Sequence, residues 1–140
     1  MKRTDEPLIT VLMLKVSYFG EIYQGYLKRF RMSVEALEAY VEGTVAMQYL
    51  TDDLVFLYNE NNEGYLNRLL VGEDGTHIGL INGSILCSKI VDHEFVSITE
   101  EEANLFLYHL RPVKELVSTL QIVVQEDMCE KDKGIYDESE

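Results

Sequence analysis

The chain has 140 residues, 46% hydrophobic and 26% charged, enough for one domain with a real core that needs no metal or disulfide staple. Its 25 acidic and 12 basic residues give a net charge of −13, the wrong sign for a protein that grips phosphate backbones. No apolar run approaches the ~18 residues of a membrane span, the opening residues lack a signal-peptide core, and Cys87 and Cys129 have no zinc or disulfide-framework spacing, so the expected location is the cytoplasm.

In chain order, Leu8 to Val16 is nearly all apolar and rich in β-branched residues, which predicts a strand buried on both faces. Glu21 to Phe30 carries several aromatics and reads as a second strand, forming a hairpin with the first; Gly25 inside it signals a bulge or a close approach. Ser33 is a predicted N-cap for a helix over Val34–Glu42, with its apolar residues at Val34, Leu37 and Val41, Tyr40 beside them, and Gly43 as the stop. Thr44–Leu50 and Leu54–Tyr58 read as strands around the turn Thr51-Asp52-Asp53, and Asn59–Gly64 as a polar loop. After the turn Glu73–Thr76 come the strand-like runs Ile78–Ile81 and Ser84–Val91. Asn82-Gly83 between them either closes a tight hairpin or bends one longer strand. Thr99-Glu100-Glu101-Glu102 forms a capping box that opens a helix reaching residue 110, with Pro112 ending or kinking it. Val113, Leu116, Val117, Leu120, Val123 and Val124 then share one helical face over 113–127. That face is expected to dock on the sheet or on a second copy as a homodimer. The expectation is therefore an α+β domain over 1–112, with a mostly antiparallel sheet of five or six strands and two packed helices. A C-terminal helix over 113–127 and an acidic mobile tail over 128–140 follow it.

The charge is uneven: residues 1–70 carry a net −3 and residues 71–140 a net −10. The acids that stand out are Glu73 and Asp74, Asp92 and Glu94, and Glu100, Glu101 and Glu102. Each group also has a plain structural use, turn formation for the first two and helix capping for the last. The opposite sign collects at Lys28, Arg29 and Arg31, with Tyr23 and Tyr26 just before them and Arg68 apart. That island suits an internal ion pair, a self-association contact or an anionic nucleotide ligand.

Catalytic patterns are missing from the sequence. His77, His93 and His109 lie 16 residues apart, unlike a helical metal pair. Gly83-Ser84 is not a nucleophile elbow, because Asn82 and Leu86 stand where glycines would be required. Cys87 lies in an apolar strand pattern and Cys129 among carboxylates, neither of which activates a thiol. Gly72-Glu73-Asp74-Gly75 would set two carboxylates against a bound phosphate. No cofactor and no metal are expected, and the chain is read as non-enzymatic.

Several short segments carry a family resemblance. They are Asn59-Glu60, Asn67-Arg68, Asp74-Gly75, Ile81-Asn82-Gly83 and Glu94-Phe95-Val96-Ser97, the last running into the helix of Glu100–Glu102. In order and spacing, Leu8 to Tyr108 resembles an uncharacterised domain family of Gram-positive phages, plasmids and integrative elements, often encoded near antirestriction genes. Tyr65-Leu66 stand where that family usually has a proline before its N-R pair. The resemblance implies an α+β accessory protein of a mobile element acting in a bacterial host cell, and it supplies no catalytic residue. Joined to the charge, it leads to an expected anti-CRISPR or antirestriction protein. Such a protein would bind the basic nucleic-acid channel of a host defence nuclease without touching nucleic acid or membrane itself. The alternative is a binder or sponge for an anionic nucleotide signal, using Tyr23, Tyr26, Lys28, Arg29, Arg31 and Arg68.

Overall fold

The computed structural model describes residues 6–16 and 24–112. Tyr23, Cys129, the expected helix over 113–127 and the tail over 128–140 lie outside the described residues. The elements in order are β1 (Leu8–Leu14), β2 (Tyr26–Arg31), α1 (Val34–Val41), β3 (Val45–Tyr49), β4 (Leu54–Asn59), β5 (Leu66–Val71) and β6 (His77–Asn82). Then come β7 (Ile85–Val91), β8 (Glu94–Val96), α2 (Glu100–His109) and β9 (Leu110–Pro112). The class is α+β, and every ladder among the described residues is antiparallel.

A six-stranded sheet runs β2-β1-β7-β4-β3, with β8 added beside β7. Its central strands are buried on both faces because consecutive side chains point to opposite sides. Ile9, Val11 and Met13 of β1 pack with Leu37 of α1, Val55, Leu57 and Leu86 on one face. Leu12 and Leu14 pack with Phe56, Cys87, Ala103 and Phe106 on the other. Each fully buried Leu, Ile or Phe contributes roughly 1.5–3 kcal/mol, so these two layers hold the molecule together. Gly25, just before β2, permits a close approach: a Cβ there would lie 2.6 Å from Leu14 Cδ2 and 3.2 Å from Leu107 Cδ2.

The expected sheet is thus present, but it is not alone. A second sheet of three strands, β6-β5-β9, covers the α2 side, where Leu70, Ile81 and Leu110 join the same core. Its central strand β5 has no alternating pattern because Asn67 and Arg68 interrupt the apolar run, yet both are buried, at 0% and 2% exposure. Asn67 Nδ2 donates to the carbonyls of Leu14 (2.9 Å) and Gly83 (2.7 Å), tying the two sheets together. Asn82-Gly83 bends the chain between these sheets. β6 pairs with β5 and β7 with β1 and β4, so the strands on either side of it are not hairpin partners. Gly83 adopts φ +78°, and a Cβ there would meet the Glu63 carbonyl oxygen at 2.8 Å.

Both helix starts follow their sequence signals. Ser33 Oγ accepts the Ala36 N–H at 3.0 Å, and Leu37 and Val41 turn inward while Val34 faces out at 66% exposure. In α2, Thr99 Oγ1 accepts the Glu102 N–H and the Glu102 carboxylate accepts the Thr99 N–H, the reciprocal box. α2 ends at His109 rather than at Pro112, because Leu110–Pro112 pairs with Arg68–Leu70 as β9.

Candidate acidic interface

Between residues 71 and 112 there are seven acids, Glu73, Asp74, Asp92, Glu94, Glu100, Glu101 and Glu102, against two cations, Lys89 and Arg111. All except the half-buried Glu102 are exposed. α2 links their locations. Asp92 and His93 form a two-residue turn joining β7 to β8, both at positive φ (52° and 68°), as a tight hairpin requires. Glu94 opens β8, which passes through Ser97 and Ile98 directly into the N-terminus of α2. Ser97 Oγ accepts the Thr10 N–H and the Ile98 N–H donates to Thr10 C=O, so this passage is pinned to β1. At the other end of α2, the Tyr108 hydroxyl donates to the Glu73 carbonyl at 3.2 Å. The turn bearing Glu73 and Asp74 is thereby held beside the helix C-terminus.

The acids are not equally available. Glu102 pairs with Lys89 Nζ at 2.8 Å. Partial burial alone would raise its carboxyl, but the bonds from Lys89 and Thr99, with the Lys89 charge, hold it below the usual glutamate range. The same hydrogen bond raises Lys89 above the ordinary lysine value. Asp74 Oδ1 accepts the Thr76 N–H at 3.0 Å, closing its turn, and bonds from Thr76 hold its carboxyl low. Arg111 stacks over the Tyr108 ring at 4.8 Å and donates through Nε to the Tyr108 carbonyl.

Among the described residues, the basic and aromatic candidates divide between the two faces of β2 and the interior. On β2, Tyr26 and Lys28 face the α1 side with Phe30, whereas Arg29 and Arg31 point to the opposite side. Arg29 donates to Leu8 C=O (3.1 Å) and Arg31 to Glu6 C=O (2.9 Å). Arg68 is inside the protein, with Nε on Asn67 Oδ1 (3.3 Å) and a guanidinium nitrogen on Leu110 C=O (3.4 Å). Cys87 is fully buried and burial pushes its thiol well up, with nearby Arg68 opposing, so it is inert packing. His109 is buried with Nδ1 2.8 Å from Val71 C=O. Among the described residues no group of three or more His, Cys, Asp or Glu side chains is placed to hold a metal ion.

One feature had no signature in the sequence. A cleft of about 570 Å³ lies between the end of α1, the Glu63–Tyr65 loop and Gly83-Ser84. Tyr40 lines it and donates to Ile85 C=O at 2.9 Å. Burial, then the neighbouring Cys87 and Tyr26, push the Tyr40 phenol far up, so it stays protonated. The lining comes from residues scattered between positions 16 and 84, and no lysine or arginine is among the described ones. The chain matches no family model, no curated protein and no solved structure. No helix among the described residues is long and apolar enough to cross a membrane.

Proposed function

We propose that this chain is a non-enzymatic accessory protein of a Gram-positive phage or other mobile element. It inhibits a host defence nuclease, a CRISPR effector or a restriction enzyme, by occupying the basic channel that takes nucleic acid. The observation that carries the reading is the seven acids of 71–112, mounted on the β7–β8 hairpin, the first turn of α2 and the β5–β6 turn. The two cations of the same stretch are engaged locally, Lys89 by Glu102 and Arg111 by Tyr108. A negative surface on a rigid support is attracted to a positively lined channel, and that attraction speeds association and weakens with salt. Asp92, Glu94, Glu100 and Glu101 are the principal contacts, with Glu73 and Asp74 at the rim.

The test is co-purification of the full chain with a panel of CRISPR effectors and restriction enzymes at low and raised salt, followed by DNA cleavage with each enzyme captured. The reading expects capture of at least one enzyme at low salt, weaker capture at raised salt, and slowed cleavage. Capture of none at low salt would remove it. The nucleotide-sponge reading gains no support from the geometry, since Lys28, Arg29 and Arg31 divide between two faces and Arg68 is interior.

A further inference from the structure

The cleft beside Tyr40 is built from parts that hold one another in place. Gly64 (φ +109°) and Gly83 (φ +78°) let two backbones touch, since a Cβ on Gly64 would lie 3.1 Å from Gly83 Cα. The Gly83 N–H donates to Tyr65 C=O at 2.7 Å, and the Asn82 N–H and Nδ2 both donate to Asn62, each at 2.8 Å. The loop that carries Glu63 and Tyr65 is therefore fixed against the bend at Asn82-Gly83. On the α1 side, Asn59 Nδ2 holds the helix end through the Val41 and Glu42 carbonyls. A recess of about 570 Å³ with walls set in this way is preformed, at a size that small ligands fill.

The electrostatics of the lining have one sign. Glu42 and Glu63 both line the cleft at exposed positions, and its described lining holds no lysine or arginine. The C-terminal, partially negative end of α1 lies at the same recess, and its last turn carries no basic residue. Tyr40 and the 54% exposed Tyr65 add aromatic rings, whose faces attract cations. Val16 and Val41 add apolar surface.

We propose that this cleft binds a guanidinium group on an aliphatic stem, as an arginine side chain of a protein partner or as free arginine. A planar guanidinium stacks on a tyrosine ring and pairs with a carboxylate through its edge, which an ammonium does less well. The methylene stem lies against the two valines, as long cationic side chains do on apolar surface. An anion would instead meet two carboxylates and a helix C-terminus. None of the seven acids between 71 and 112 lines the cleft, so this inference is independent of the nuclease reading.

An NMR titration of the full chain with N-acetyl-arginine amide, free arginine and N-acetyl-citrulline amide tests it. Citrulline keeps the shape and replaces the guanidinium with a neutral urea. At least one guanidinium compound should shift the amides of Gly64, Tyr65, Gly83 and Ser84 saturably, with a dissociation constant on the order of 1 mM. The citrulline compound should bind at least about tenfold more weakly. Glu63→Gln and Tyr65→Ala, both at exposed positions, should each weaken binding about threefold. The comparison among the three compounds needs only the wild-type chain. Tighter binding of the capped arginine assigns the cleft to a partner's side chain, and tighter binding of the free amino acid assigns it to arginine itself. No saturable shift with either guanidinium compound, or citrulline binding as tightly as arginine, would overturn the proposal.

Discussion

Asparagine does work in this protein that hydropathy alone assigns to apolar side chains. Asn67 joins the two sheets through the Leu14 and Gly83 carbonyls, and Asn59 Nδ2 caps the end of α1 by donating to Val41 C=O and Glu42 C=O, each at 3.1 Å. Replacing Asn67 by Ala leaves two carbonyls without this partner, at a cost of about 2–4 kcal/mol. Urea unfolding should show a lowered midpoint with an unchanged slope. Asn67→Asp, which keeps the shape but loses the donor, should recover little. Gly83→Ala should cost about 1–3 kcal/mol, because φ +78° and the Glu63 carbonyl at 2.8 Å both oppose a Cβ. Asn67 was not legible as a sheet-joining residue, since its partners are 16 and 53 positions away and only the fold brings them near.

At the level of elements, local chemistry was legible and long-range chemistry was not. Ser33, Thr99 and Glu102 announce their helix starts because capping joins residues three apart. β1 declares itself by a run apolar at every position but Thr10, as suits a strand covered on both faces. β5 hides because its polar pair is satisfied by distant carbonyls, and the three-residue strands β8 and β9 are too short to show a period. Thr99→Ala should cost about 1 kcal/mol and lower thermal stability. The Lys89–Glu102 pair gives a pH signature. Glu102 titrates below its unfolded value, so its contribution is present above ~4.3, the unfolded glutamate pKa, and fades as pH falls through the folded one. Lys89 titrates above its unfolded value, so its contribution holds below ~10.4 and is lost as pH rises through the folded pKa. The stability difference between wild type and Glu102→Gln should therefore shrink toward acid. A difference that stays constant from neutral pH down to strong acid contradicts an ionised pair.

For the whole molecule, the sign and bias of the charge were legible from composition, whereas its mounting was not. The Ser97–Thr10 bond pins the passage from the β7–β8 hairpin into α2 against β1, and the Tyr108–Glu73 bond holds the β5–β6 turn beside the C-terminal end of α2. These supports are independent of the acids' own charge, so charge reversal at Asp92 and Glu94, both exposed in or beside a turn, should alter binding without unfolding. The same reversal at two acids within 130–140 serves as the control for net charge. The central claim is tested most directly in cells that carry an active CRISPR or restriction system and express this chain during phage challenge. Plating should rise toward that of a defence-deficient host with the wild-type chain and with the tail-reversed control, and fall back with Asp92→Lys/Glu94→Lys. Plating that never rises across the panel of defence systems, or that rises equally with the Asp92→Lys/Glu94→Lys chain, would contradict inhibition through this acidic surface.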